Sequence, residues 1–300
     1  MNILKNIKAK INLIVAILDK VISIQSKLTK IQETLGRIES RQLESLDKLE
    51  LQNNEFQVFS QWGEDGIVQM LLRHIEIPNK IFIEFGVENY TESNTRFLLI
   101  NDNWTGLVID GSPENISYIK QDSIYWQRNI KAVQAFIDRD NINKIIAENG
   151  VKGEIGLLSI DIDGNDYWVW QAIDSINPAI VISEYNFRFG TNRAVTVPYQ
   201  ADFVRTQAHH SNIYFGASLR ALCLLANKKG YAFLGCNSTG INAFFVRKDL
   251  KPDHIKELSV EEGYVVGKFR ESRNQIGELI FLTLEEEQKI LESLPLIEVN

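Results

Sequence analysis

Apolar residues recur in two different rhythms along this chain. In the first, Ile14, Val21, Leu28 and Leu35 fall seven apart, and Ile17, Ile24, Ile31 and Ile38 follow each by three. The first fifty residues hold no Pro and one Gly, so this seam predicts an N-terminal α-helix over 1–50 that pairs as a coiled coil. A solitary helix would leave the ribbon in water. A homo-oligomer covers it, as would folding the stripe back onto the main domain. A third way lays the Lys-rich beginning (Lys5, Lys8, Lys10) on an anionic membrane surface. The seam runs far beyond the basic part, which ranks that last option below the others.

The second rhythm begins after the polar hinge "LQNNE". "FSQWGEDGIVQMLLRHI" predicts a helix opening near Ser60, with Ile67, Met70, Leu71 and His74 on one face. Beyond it, the short apolar runs "KIFIEFG", "TGLVIDG", "IKAVQAFI", "EIGLLSIDID" and "AIVISEY" alternate with helical stretches such as "TESNTRFLLIND", "PENISYIKQDS", "NINKIIAEN" and "DYWVWQAIDS". The runs are apolar on both faces, as parallel strands covered by helices must be. Pro78, Pro113 and Pro178 sit at the predicted boundaries. The pattern predicts an α/β, Rossmann-like doubly wound, mostly parallel sheet. Two later strands, "GYAFLG" and "NAFFVRK", are separated by "CNSTGI", too short for a helical crossover, so they should close the sheet as an antiparallel hairpin. The main domain then spans 56–250, and 251–300 forms a C-terminal helical extension with a capping box, Thr283 with Glu286.

Composition narrows the function classes. Of 300 residues, 44% are hydrophobic and 24% charged, the profile of a globular protein of one or two domains. The net charge of −7 divides into +5 for residues 1–30, −2 for 31–50 and −10 for 51–300. An acidic main domain argues against nucleic acid as a partner. No apolar run reaches the roughly 18–20 residues of a transmembrane segment, and "INLIVAIL" leads into further heptads rather than a cleavage site. Cys223 and Cys236 lack metal-site spacing and read as core residues of a cytoplasmic protein.

In an open α/β sheet, ligands bind beyond the carboxyl ends of the strands, so the chemistry should lie there. "IFIEFGVENYTESN" offers Glu84 and Gly86, but Glu88 stands where a dinucleotide loop has its second glycine and would repel a pyrophosphate. A phosphate-free cofactor with a positive centre, S-adenosylmethionine, suits these acids better. Asp110, ending "LVIDG" 26 residues after Glu84, could accept hydrogen bonds from a ribose diol. Ala135 and Phe136 of "QAFIDRD" could border an adenine, although plain core packing is the better reading of those two.

"LLSIDIDGND" crowds Asp161, Asp163 and Asp166 at a strand end. A calcium loop fails, because glycine is fourth (Gly164) instead of sixth and the distal glutamate position holds Ala172. Asp161 and Asp163, two apart on a strand, share a face. With Glu184 and Asn186 of "SEYN", Asp163 could ligate Mg²⁺. Alternatively, helix amides and the cofactor's positive groups balance the charge.

Taken in order, "SQWGEDGI", "FIEFGVENYTESNTRFLL", "GLVIDGS", "LLSIDIDGNDYWVW", "VISEYN", "VTVPY" and "GASLRAL" resemble the FkbM-type class I S-adenosylmethionine-dependent methyltransferases, over roughly residues 56–250. The resemblance implies methyl transfer to a hydroxyl of a small molecule or glycan. It also implies that Glu84 and Gly86 border the methionine part, Asp110 holds the ribose and Asp161 walls the pocket. Glu88 departs from the glycine common in that family.

Methyl transfer to a hydroxyl requires alignment and removal of a proton. Asp163 is the first candidate base, with His209 and His210 of "RTQAHHSNIYFG" behind it, unless that pair is merely solvated. Tyr199 and Trp62 read equally as pocket walls or core, His74 as a packing residue and His254 as exposed. Two other readings compete: a non-catalytic coiled-coil assembly protein with a degenerate domain, and a metal-dependent hydrolase built on Asp161, Asp163 and Glu184. The hydrolase lacks a phosphate-cradling loop.

Overall fold

The computed structural model describes residues 2–46 and 48–300, with the side chains of all of these except 2–6 and 9. The side chain of Lys5 therefore lies outside the described residues. A 45-residue helix, α1 (Asn2–Leu46), precedes α2 (Glu64–His74). Strands and helices then alternate: β1 (Ile81–Phe85), α3 (Arg96–Asn101), β2 (Thr105–Asp110), α4 (Pro113–Gln121), α5 (Ser123–Gln127), β3 (Ile130–Gln134), α6 (Ile142–Glu148), β4 (Gly153–Ile160), α7 (Asp166–Ala172) and β5 (Ile176–Glu184). There follow β6 (Val195–Thr196), α8 (Arg205–Ala208), α9 (Leu219–Lys228), β7 (Tyr231–Cys236), β8 (Asn242–Arg247), α10 (Val260–Gly263), α11 (Leu284–Glu292) and β9 (Ile297–Glu298).

Seven strands form one sheet in the order β3-β2-β1-β4-β5-β8-β7. β1 to β5 are parallel, β8 is antiparallel to β5, and β7 pairs antiparallel with β8. This is the expected Rossmann-like, doubly wound, mostly parallel sheet, with the antiparallel hairpin at one edge. Both faces are buried. Ile83, Leu107, Ile109, Leu158 and Ile160 pack with Trp170 and Leu222, while Phe82, Val108, Leu157 and Ile182 pack with Met70, Leu71 and Leu99. Each such side chain contributes about 1.5–3 kcal/mol when fully buried. The strand order reverses between β1 and β4, which opens the crevice where ligands of such sheets sit.

Two helix starts differ from the sequence pattern, for local reasons. α2 begins at Glu64 instead of near Ser60. Asp65 Oδ2 accepts the backbone N–H groups of Val58, Phe59 and Ser60, and Gly63 is left-handed at φ 97°. α3 begins at Arg96, because Ser93, Asn94 and Thr95 are tied to Glu84. The capping box of Thr283 and Glu286 opens α11.

α1 does not fold its apolar stripe back onto the domain. It docks through another face: Gly36 sits so close to Val58 that a Cβ there would lie 2.3 Å from Val58 Cγ2. Ser40 accepts from Arg73 Nη1 through its carbonyl, Gln32 donates to the Val58 carbonyl, and Leu43 packs on the Phe56–Phe59–Phe97 cluster. The seam from Ile14 to Ile38 stays 50–58% exposed at all eight positions. Among the described residues, no helix is long and apolar enough to cross a membrane.

Candidate functional site

Gly86 follows β1 directly with φ 69°, and a Cβ there would lie 1.7 Å from the Asp161 carbonyl oxygen. Only glycine allows the ends of β1 and β4 to meet this closely. Beside this junction a cavity of about 210 Å³ opens, lined by Gly86, Asp110, Gly111, Ala135, Phe136, Ile137, Asp163 and Arg205, among others. Four of the six residues expected at a cofactor thus share one cavity. Phe136 is 50% exposed there, a large apolar ring that core packing does not account for.

Asp110 is buried and largely engaged. Its Oδ1 accepts from Ser112 N and Asn115 Nδ2, and its Oδ2 from Glu88 N at 2.9 Å. A carboxylate has about four acceptor positions, so about one is left for a ligand. Glu88 reaches this bond with φ 47°, which explains why glycine is at home in its place.

Glu84 does not line the cavity. Its carboxylate turns onto the following loop, accepting from Ser93 Oγ at 2.6 Å, Asn94 N at 2.8 Å, and both Thr95 N and Thr95 Oγ1. Burial pushes its pKa up despite these donors. Glu84 therefore holds the β1–α3 loop in shape.

A second cavity of about 170 Å³ adjoins the first and shares Asp163 and Arg205 with it. Its walls include Trp62, Phe187, Phe215 and Phe269, and its floor Asp161 and Glu184. Trp62 and Phe269 meet edge to face at 5.8 Å. One ligand oxygen from each of Asp161, Asp163 and Glu184 lies within 4.8 Å of the others. Glu184 is only 8% exposed, and its Oε2 has no hydrogen-bond partner. Burial pushes Asp161 and Glu184 well above the usual carboxylate range, and the neighbouring Asp163 charge adds to both shifts.

Asp166, the third aspartate of the motif, serves the backbone: it accepts from Ile162 N and Gly164 N, both at 2.9 Å. Asn186 is likewise spent on the fold. Its amide donates to the carbonyls of Ile213 and Phe215, and its oxygen accepts from Arg188 N. The carboxylate cluster thus comprises Asp161, Asp163 and Glu184, without Asn186.

His209 and His210 are not brought to either cavity. Their rings pack 4.1 Å apart, and His209 Nδ1 meets Ser211 Oγ at 2.7 Å. Burial, and then the neighbouring His210, lowers the His209 pKa. Tyr199 donates to Asp140 at 3.1 Å beneath Arg139. His254 and His74 lie against each other at 3.2 Å.

The residues that sequence reading missed are the cations. Arg205 Nη1 lies 2.6 Å from Asp163 Oδ1, Nη2 pairs with Glu271, and the guanidinium stacks 3.6 Å over Phe215. Burial pulls the Arg205 pKa down, but Glu184, Glu271 and Asp163 outweigh it and hold it above the usual value. Fully buried Arg188 joins Glu271 to Glu287 of α11. Arg205 stood in the same quoted stretch as the histidines, yet no spacing rule links positions 205, 163 and 271.

No family model and no curated protein matches this chain. Among solved structures, it is similar to an S-adenosylmethionine-dependent methyltransferase from Clostridium acetobutylicum ATCC 824, with 10% identity, 61% of this chain and 89% of that one covered, and a TM-score of 0.39. It is also similar to the N-terminal domain of EvdMO1 with SAH bound, with 10% identity, coverage of 70% and 94%, and a TM-score of 0.39. A third similar structure is M. capricolum TrmK in complex with S-adenosyl-homocysteine, with 12% identity, coverage of 62% and 69%, and a TM-score of 0.35.

Proposed function

We propose that this protein is an FkbM-type S-adenosylmethionine-dependent O-methyltransferase that methylates a hydroxyl of a small molecule or glycan. The observation that carries this reading is the shared wall: Asp163 and Arg205 border both cavities at the switch point of the sheet. One cavity would take the cofactor and the other the acceptor, so both ligands would meet at one ion pair.

The residues present fit the cofactor. Phe136 offers an uncovered ring for the adenine, Asp110 keeps about one acceptor position for the ribose, and the acidic wall suits a positive centre. When bound, S-adenosylmethionine supplies an electrophilic methyl group on a sulfonium. The aromatic walls would exclude water and orient the acceptor. The carboxylates of Asp161, Asp163 and Glu184 would take up the hydroxyl proton, with Asp163 the most exposed of them.

Asp161, Asp163 and Glu184 also fit a divalent ion such as Mg²⁺, since carboxylate oxygens suit hard cations and Glu184 Oε2 is otherwise orphaned. Such an ion supplies Lewis acidity that lowers the pKa of a hydroxyl. The exposed seam of α1 supports a homo-oligomer, and the two free cysteines suit a reducing cytoplasm.

Calorimetric titration with S-adenosylhomocysteine tests the reading. The wild-type chain binds it, and Asp110→Ala weakens binding at least tenfold, the loss of about one charge-assisted hydrogen bond. No heat with the wild type, or equal affinity in the variant, overturns the cofactor assignment. Phosphoester hydrolysis with Mn²⁺ alone would favour the hydrolase in its place.

A further inference from the structure

We propose that the exposed seam of α1 packs against α1 of further copies of this chain in a parallel bundle of three or four helices. This deepens the self-association reading above and rests on it. The docking face around Gly36 and the seam lie roughly a third of a turn apart on the helix. The catalytic domain therefore covers one side of α1 and leaves the seam open along its length.

The area matches a stable interface. Eight half-exposed side chains at about 100 Å² each offer roughly 800 Å² per chain, the amount that one partner of a stable complex buries.

The number of strands follows from side-chain shape. All four d positions, Ile17, Ile24, Ile31 and Ile38, are β-branched. A two-stranded coil places d side chains where Leu fits and β-branched residues do not. Ile at d, with Ile or Leu at a, shifts the preference to three or four strands. The apolar surface is also wider than a two-stranded seam can cover. Leu13 and Leu18 flank the seam at g and e and are 61% and 54% exposed. Such flanking positions become buried when more than two helices meet.

Charge sets the direction. In a parallel bundle, Lys20 at g faces Gln25 at e of the neighbour, and the next e residue, Gln32, is an uncharged amide that donates to its own domain, so no like-charge contact arises. The antiparallel register that keeps all eight seam residues together brings Lys27 against Lys27 of the other copy.

Light scattering of the full chain in physiological salt, with anionic vesicles in a parallel sedimentation assay, tests this. The expected wild-type mass is three or four times that of the chain. Ile17→Lys with Ile24→Lys reduces it to one chain while the far-ultraviolet spectrum of the domain persists. Replacing the four d residues by Leu and Val21, Leu28 and Leu35 by Ile shifts the mass to two chains. A wild-type dimer, or a swap variant that keeps the wild-type mass, overturns the strand number and leaves self-association standing. A monomer overturns both, and a monomer that sediments with vesicles assigns the seam to a lipid surface.

Discussion

Arg205 Nη1 lies 2.6 Å from Asp163 Oδ1, so the partition between the two cavities is an ion pair. The same guanidinium pairs with Glu271, and both partners of that second pair are only 13% and 15% exposed. Removing one partner of a buried pair leaves the other charge uncompensated. Arg205→Met should therefore destabilise the chain by about 3 kcal/mol, mostly through Glu271 and Glu184, since exposed Asp163 is screened by water. Urea denaturation measures it. A loss under about 1 kcal/mol would mean that water replaces the guanidinium at no cost.

Glu88 adopts φ 47°, a left-handed conformation that costs an ordinary residue about 1–2 kcal/mol. Among the described residues, its tie to the site is its backbone N–H on Asp110, which glycine retains. Glu88→Gly should thus raise stability by about 1 kcal/mol, or roughly 2 °C in Tm for a chain of this size. A fall in Tm would show that the Glu88 side chain contributes more than its backbone strain costs.

Much of the architecture was legible because burial on both faces leaves a plain mark. Phe82 and Ile83 point to opposite sides of β1 and both are fully buried, so the run had to be apolar throughout. Asp110 could be read as a pocket residue because strand ends face the crevice in any sheet of this kind, whereas Phe136 read better as core and is instead half exposed at the cavity. Glu84 could not be assigned in the same way, since an acid at a strand end looks alike whether it meets a ligand or its own loop. Asn186 was opaque for the same reason: its amide is consumed by Ile213 and Phe215, carbonyls nearly thirty residues away. The docking of α1 had one sign, the single glycine of the first fifty residues. Its meaning depended on Val58, which no helical period connects to Gly36.

Asp65 makes a pH dependence. Burial pushes it up to about 6, although three backbone N–H groups donate to its Oδ2. An unfolded aspartate titrates near 4. Between these values the folded state holds the extra proton, so stability is full below about pH 4 and falls as pH rises to about 6. A two-unit shift corresponds to about 3 kcal/mol. Asp65→Asn keeps an acceptor for the three donors and cannot ionise. Relative to wild type, it should gain on the order of 3 kcal/mol between pH 4 and pH 6 in urea titrations. Parallel profiles would place the titration elsewhere.

Glu184 gives the test of the cation site. It ends β5, is nine-tenths buried, and its Oε2 meets no donor among the described residues, while Asp161 and Asp163 bring oxygens within 4.8 Å. An uncompensated buried acceptor costs about 1–3 kcal/mol, more when charged, so a structure that retains one benefits from whatever cation satisfies it. Arg205 compensates part of this charge but holds Asp163 at Oδ1 and leaves the Glu184 oxygen unmet. Mn²⁺, whose paramagnetism reports binding directly, should bind one equivalent per chain. Glu184→Gln keeps the volume and removes the charge, and should weaken Mn²⁺ at least tenfold while binding of S-adenosylhomocysteine changes little, because Glu184 lines the second cavity and not the first. Equal Mn²⁺ affinity in the variant would exclude Glu184 as a ligand. Loss of S-adenosylhomocysteine binding without loss of Mn²⁺ would move Glu184 from the acceptor side of the ion pair to the cofactor side.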